Sequence, residues 1–264
     1  MKLDLDNKVV LVADNDSDSA AGIIAVLKSE GAVVLACLAE GQTEPAGCDK
    51  VYRYDLADET QTVALRDQIA AQYGKLDGIV FQHVDIAASS LETLEADVLV
   101  ERLFASARAA FVTMQTLGQY VGDCGGGSVV YITTLHDEKP NGYDMAHSMA
   151  QGMVGNLVKE ASMEYGMSNV RTNQIALGAV DGLVQQFKTE RSHFYEGAQF
   201  KVPYSRLGTW EDVGNLTAFL LSDRAMFANG ARFLLDGGAI NEYVDPRANW
   251  RAHQAMKAEE EVRS

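Results

Sequence analysis

Residues 8–38 read KVVLVADNDSDSAAGIIAVLKSEGAVVLACL. The unbroken apolar run from Lys8 to Ala13 (KVVLVA) suits a strand buried on both faces. A helix is predicted from about Ser19 to Glu30, with Ile23, Ile24 and Leu27 turned inward and Gly31 as its C-terminal stop. A second apolar run, AVVLACL at 32–38, follows at once. A strand, a crossover helix and another buried strand form the repeating unit of a parallel sheet.

The alternation continues downstream. Asp58, with Gln61 three residues on, has the pattern of a capping box, and Leu65, Ile69 and Tyr73 share one face before Gly74. Strands are predicted at 77–84 (DGIVFQHV), 128–134 (SVVYITT), 169–176 (NVRTNQIA) and 231–236 (ARFLLD). Between them lie a long helix over about 97–120, broken by Gly125, Gly126 and Gly127, and a helix over about 146–166. The second of these carries Met149, Met153 and Met163, read as a packing face. Thr209 and Asp212 make a second capping box. The predicted architecture is one α/β domain over 1–240, a doubly wound parallel sheet of about seven strands with helices on both faces. Residues 241–264 read as an extension, a charged helix or frayed tail begun at Asp245-Pro246, with Trp250 as an anchor.

Composition narrows the partners. A chain of 264 residues, 47% apolar, encloses one large core. No apolar run reaches the roughly 20 residues of a membrane helix, and the acidic start leading straight into a strand argues against a secretory signal. A net charge of −15 repels nucleic acid and anionic lipid. Cys37, Cys48 and Cys124 form no paired spacing, so neither a disulfide framework nor a zinc motif is expected, and a reducing cytoplasm is the default compartment.

Order and spacing over about 5–240 resemble the short-chain dehydrogenase/reductase family. The resemblance rests on KVVLV before the first turn, Glu30-Gly31-Ala32, Asp55, Leu76-Asp77, Asn173, and RLGTWEDVGNLTAFLLSD leading to LLDGG at 234–238. It implies a Rossmann-like fold. The family's three phosphate-loop glycines fall on Asp14, Asp18 and Ala20. Those glycines let a diphosphate lie against bare backbone N–H groups at a helix N-terminus. A carboxylate roughly 5 Å from the diphosphate, at an effective dielectric of about 20, weakens binding by roughly a hundredfold. Asp16, Ser17 or Asp18 instead suits a helix cap that supplies its own anion. Asp14, Asp16 and Asp18 also begin like a calcium loop, but Ser19 and Ala25 stand at its glycine and bidentate glutamate positions, so no metal is expected. The family's ribose-binding acid falls on Leu38, its N-N-A-G on Phe81-Gln82-His83-Val84, and Asp55 is retained near the adenine position, where a turn-forming aspartate is an equally good reading.

The family's catalytic Ser, Tyr and Lys fall on Thr134, His147 and Gln151, and its helical Asn near Ser106. A phenol needs the neighbouring ammonium to act as a base near neutral pH, whereas an imidazole titrates near 6.5 unaided. Tyr143, His136 and Asp137 lie close in sequence to His147 and Thr134. From these departures the resemblance implies a non-catalytic, dinucleotide-free subunit paired with an active paralogue in a hetero-oligomer, a tetramer. The cofactor-free subunit of the heteromeric hydroxyacyl-CoA-type dehydrogenase of anaerobic toluene degradation is such a case. The alternatives are a cofactor-independent lyase, dehydratase or isomerase rebuilt around His147, a ligand-binding protein, and an atypical NAD(P)-dependent oxidoreductase.

Overall fold

The computed structural model describes residues 3–14, 17–82, 87, 89, 91–140, 144–183, 202–204 and 206–241. The predicted C-terminal extension, Trp250 included, lies outside the described residues. Strands β1 (Val9–Asp14), β2 (Val33–Leu38), β3 (Lys50–Arg53), β4 (Gly78–Gln82), β5 (Gly127–Thr134), β6 (Val170–Leu177) and β7 (Arg232–Leu235) form one sheet. Its order is β3-β2-β1-β4-β5-β6-β7, and every neighbouring pair is parallel. The α/β doubly wound prediction therefore holds.

Strand β1 shows why the opening run is apolar throughout. Val10 and Val12 join the core shared with Ile23, Ile24 and Leu27 of α1 (Ser17–Ser29). Val9 and Leu11 join the opposite core, with Leu65 and Ile69 of α2 (Glu59–Tyr73). Alternate side chains enter different layers, so no position is left for a polar residue. The first layer is completed by α6 (Trp210–Leu221) and the second by α3 (Ala96–Thr113) and α5 (Met145–Glu164). Helices α1 and α6 cross closely because Gly22 and Gly214 lack side chains: a Cβ on Gly214 would meet Val26 Cγ2 at 2.8 Å, and one on Gly22 would strike Trp210.

Local signals mostly match, with informative exceptions. The Thr209–Asp212 capping box is complete. Asp58 caps α2 by accepting from the Gln61 backbone N–H at 3.0 Å, but the Gln61 side chain accepts from the Asp55 N–H at 2.9 Å, so only half of that predicted box forms. The long helix predicted at 97–120 begins as α3, passes through a π turn at Met114–Gly118 and ends as α4 (Gln119–Asp123). Met149, Met153 and Met163 are 45%, 40% and 67% exposed, so the face they share lies on the outside of the chain.

Candidate functional site

The C-terminal ends of the parallel strands carry Leu38, Gln82, Thr134 and Leu177, and the strand order reverses between β1 and β4. Ligands of doubly wound sheets bind in the crevice above such a reversal. Two groups of polar residues stand at this edge.

The first is at the end of β5. Thr134 and His147 are 1% and 2% exposed, and Thr134 Oγ1 lies 2.9 Å from His147 Nε2. Gln151, one helical turn beyond His147 on α5, accepts from the Thr134 backbone N–H at 2.9 Å through Oε1. The three predicted positions are thus brought together, with Gln151 tying the strand end to the helix. Because its amide is neutral, it places no cation beside the imidazole. Ser106 is buried on α3. Tyr143 lies outside the described residues.

His136 completes the surroundings of His147. It sits on the 3-10 turn Leu135–Asp137, and its ring meets that of His147 edge-on, with centroids 5.8 Å apart. Burial pushes its pKa below the ordinary value, against the Lys139 carbonyl, Asp137 and Asp144, which act to raise it. Asp137 anchors this turn. Its carboxylate accepts from Arg232 Nη2 at 2.6 Å and Nε at 2.8 Å, and from Gln174 Nε2 at 2.8 Å. Gln174 also donates to Thr133 Oγ1 at 2.7 Å, so a fork-shaped ion pair locks the turn to β6 and β7. The hydrogen bond to Asp137 holds the Arg232 guanidinium above its usual range.

The second group lies at the switch point. Gln82, 3% exposed, donates from Nε2 to Ser19 Oγ at 3.2 Å, while its Oε1 is buried without a hydrogen-bond partner among the described residues. An orphaned acceptor of this kind is costly unless a ligand donor reaches it. Asp18, expected in the loop, lies in the first turn of α1 and is exposed; Ala20 is 1% exposed. Asp14 ends β1 by its backbone, and Asn15, Asp16 and His83 lie outside the described residues. Leu38 is buried. Asp55 accepts from the Ala57 N–H at 2.9 Å, forming a turn. Phe81 packs on Tyr131, with centroids 5.4 Å apart.

Two contributors went unread in the sequence. Asp144 is the N-cap of α5 and accepts from the His147 backbone N–H at 3.1 Å; an aspartate three residues before His147 was the available signal. Arg102, which pairs with Asp144 at 2.8 Å, gave no local signal.

Residues 15–240 match the family model described as Enoyl-(Acyl carrier protein) reductase. The chain is 29% identical over 242 residues to cis-4-hydroxycyclohexanecarboxylate dehydrogenase of Sinomonas cyclohexanicum, covering 88% of this chain and 96% of that protein. It is 24% identical over 247 residues to 2-dehydro-3-deoxy-D-gluconate 5-dehydrogenase of Pseudoalteromonas atlantica, covering 90% and 97%. Its fold matches L-sorbose reductase from Gluconobacter frateurii complexed with NADPH and L-sorbose, with a TM-score of 0.78, 17% identity, and 91% and 99% of the two chains covered. These findings overturn two expectations. The relatives are named as dehydrogenases and a reductase, so the expected non-catalytic subunit is corrected to a chain of an oxidoreductase family. The expected lack of a dinucleotide, inferred from Asp14, Asp18, Ala20 and Leu38, is corrected by a family whose structures include an NADPH complex. The physical reason is that those positions speak only to the diphosphate and adenosine ends, and not to the end of β5, where Thr134 Oγ1 and His147 Nε2 meet. The comparisons carry the family and not the toluene-pathway subunit. Among the described residues no helix is long and apolar enough to cross a membrane.

Proposed function

The chain belongs to the short-chain dehydrogenase/reductase family, and from that premise we propose that it is an NAD(P)-dependent oxidoreductase acting on a secondary alcohol or the corresponding carbonyl, with His147 in place of the family's tyrosine. The observation that carries this reading is the 2.9 Å contact between Thr134 Oγ1 and His147 Nε2, closed to water at the end of β5. Among the described residues the feature that fits a bound dinucleotide is Gln82 Oε1 at the switch point, an unsatisfied acceptor that a donor of the ligand would satisfy.

A bound nicotinamide would supply hydride transfer to or from the reacting carbon. Thr134 turns its hydroxyl from the imidazole to the substrate oxygen and holds it. His147 Nε2 accepts the alcohol's hydroxyl proton as that oxygen becomes a carbonyl, and returns it in the reverse direction. The imidazole needs no neighbouring cation for this task, which is consistent with Gln151 serving as a neutral tie. The substrate class is supported by the relatives, named for a hydroxycycloalkane carboxylate and a keto-sugar acid. A panel of hydroxycycloalkane carboxylates, polyols and sugar acids, followed as reduced nicotinamide absorbance with NAD and NADP, should give turnover with at least one member. Absence of reduction across the panel, with the protein folded, would refute this reading.

The same family premise supports assembly. Helices α3 and α5 pack side by side, and their outer faces show Phe104 at 60%, Phe111 at 50% and Met149 at 45% exposure. Phe104 and Phe111 are seven residues apart, on one helical face. Apolar stripes of this kind mark an interface. The chain therefore associates through this face with a chain of the same fold. Native mass spectrometry should show more than one chain, and Phe104→Glu should shift the population to monomer. A monomeric parent protein would contradict this.

A further inference from the structure

Asp144 is fully buried, yet nothing about capping a helix requires a charge there. A serine or asparagine caps as well, without the cost of burying a carboxylate and its partner. Oδ1 of Asp144 accepts from the His147 N–H at 3.1 Å, Ser89 Oγ at 3.1 Å and Arg102 Nη1 at 3.2 Å. Oδ2 accepts from the Ala87 N–H at 2.7 Å and Arg102 Nη2 at 2.8 Å. Arg102 Nη1 also donates to the Ala87 carbonyl at 3.3 Å, and the Met145 N–H donates to Ser89 Oγ at 3.2 Å. One carboxylate thus joins α3, α5 and the segment after β4, and the turn it caps carries the imidazole. Burial works to raise the pKa of this carboxyl, but the bonds from Arg102 and from the backbone N–H groups of Ala87 and His147 outweigh it and hold it below the usual range.

We propose that Asp144 and Arg102 are positioning residues for His147: Asp144 fixes the turn that carries the imidazole, and Arg102 cancels the carboxylate's charge so that the ring stays free to lose and regain its proton. The proposal rests on the reading of His147 as the proton-transferring group. Among the described residues, the titratable and charged groups around His147 are His136, edge-on from the turn after β5; Asp137 on that turn, held by Arg232; Asp144 on its own helix; and Arg102 from α3. With both members present, carboxylate and guanidinium offset each other. Without the guanidinium a bare anion favours the imidazolium; without the carboxylate a bare cation disfavours it.

The test is a ¹⁵N-detected histidine titration of the full chain, whose five histidines are assigned by single His→Gln substitutions. Arg102→Ala should raise the His147 midpoint by about one pH unit, and Asp144→Asn should lower it by about as much. Arg102→Lys should keep it near the parent value. The double variant Arg102→Met with Asp144→Asn should return it there, and this charge-free pair serves if Arg102→Ala does not fold. A clamp that only stabilises the fold predicts no opposed shifts. Unmoved midpoints, or shifts of the same sign in the two single variants, would overturn the proposal. The titration uses neither substrate nor dinucleotide, so its failure is distinguishable from a failure of the turnover assay.

Discussion

His147→Ala lowers kcat by about 10²- to 10⁴-fold, the range typical of removing a positioned general acid/base. The fold survives this change. The imidazole bonds Thr134 Oγ1 at the end of β5, and alanine is favoured inside α5. Thr134→Val should also reduce turnover, since it keeps the volume and removes the hydroxyl, while Thr134→Ser should retain most of it. The pH dependence has a definite sign. Alcohol oxidation requires the neutral imidazole and falls as pH drops through its pKa; carbonyl reduction requires the imidazolium and falls as pH rises. Steady-state kinetics with the panel substrate, supported by circular dichroism of each variant, measures all of this. Full activity in folded His147→Ala would remove the imidazole from the mechanism.

The sheet and its helices were readable from the chain because they depend on local pattern. The run at 8–13 must be apolar on both sides since both cores press on β1, and Gly31, Gly74 and the Thr209–Asp212 box mark ends that the structure keeps. Placement of Thr134, His147 and Gln151 followed from the resemblance to the family's Ser, Tyr and Lys pattern, and the structure joins them through two hydrogen bonds.

What escaped reading depends on distance in sequence. Arg102 meets Asp144 42 residues away, and Arg232 meets Asp137 95 residues away. No periodicity reports such pairs, although each sets the ground on which the imidazoles stand. The methionines of α5 left a related question open: helical spacing shows that they share a side, but not whether that side faces the core or the outside, where the structure puts it. Gln61 misled more subtly. Its sequence offset fits the reciprocal box, yet the Asp55 N–H lies within reach and competes for the same oxygen.

The diphosphate end gives the second large effect. Asp18 stands in the first turn of α1, where a carboxylate suits the positive helix end and repels an approaching phosphate. Because it is exposed, screening reduces the penalty, and Asp18→Asn should tighten dinucleotide binding by about tenfold. Helix α1 should lose only a little stability, since an amide caps and solvates nearly as well. Added salt should tighten binding to the parent protein by screening the same repulsion, and the variant should respond less.

Equilibrium titration of the purified parent chain and Asp18→Asn with NADH and NADPH, followed by nicotinamide fluorescence, tests most directly whether this fold still holds its dinucleotide. Saturable binding of at least one of them to the parent, stronger in the variant, is the predicted result. No saturation by either nucleotide into the millimolar range, in both proteins, would contradict the account.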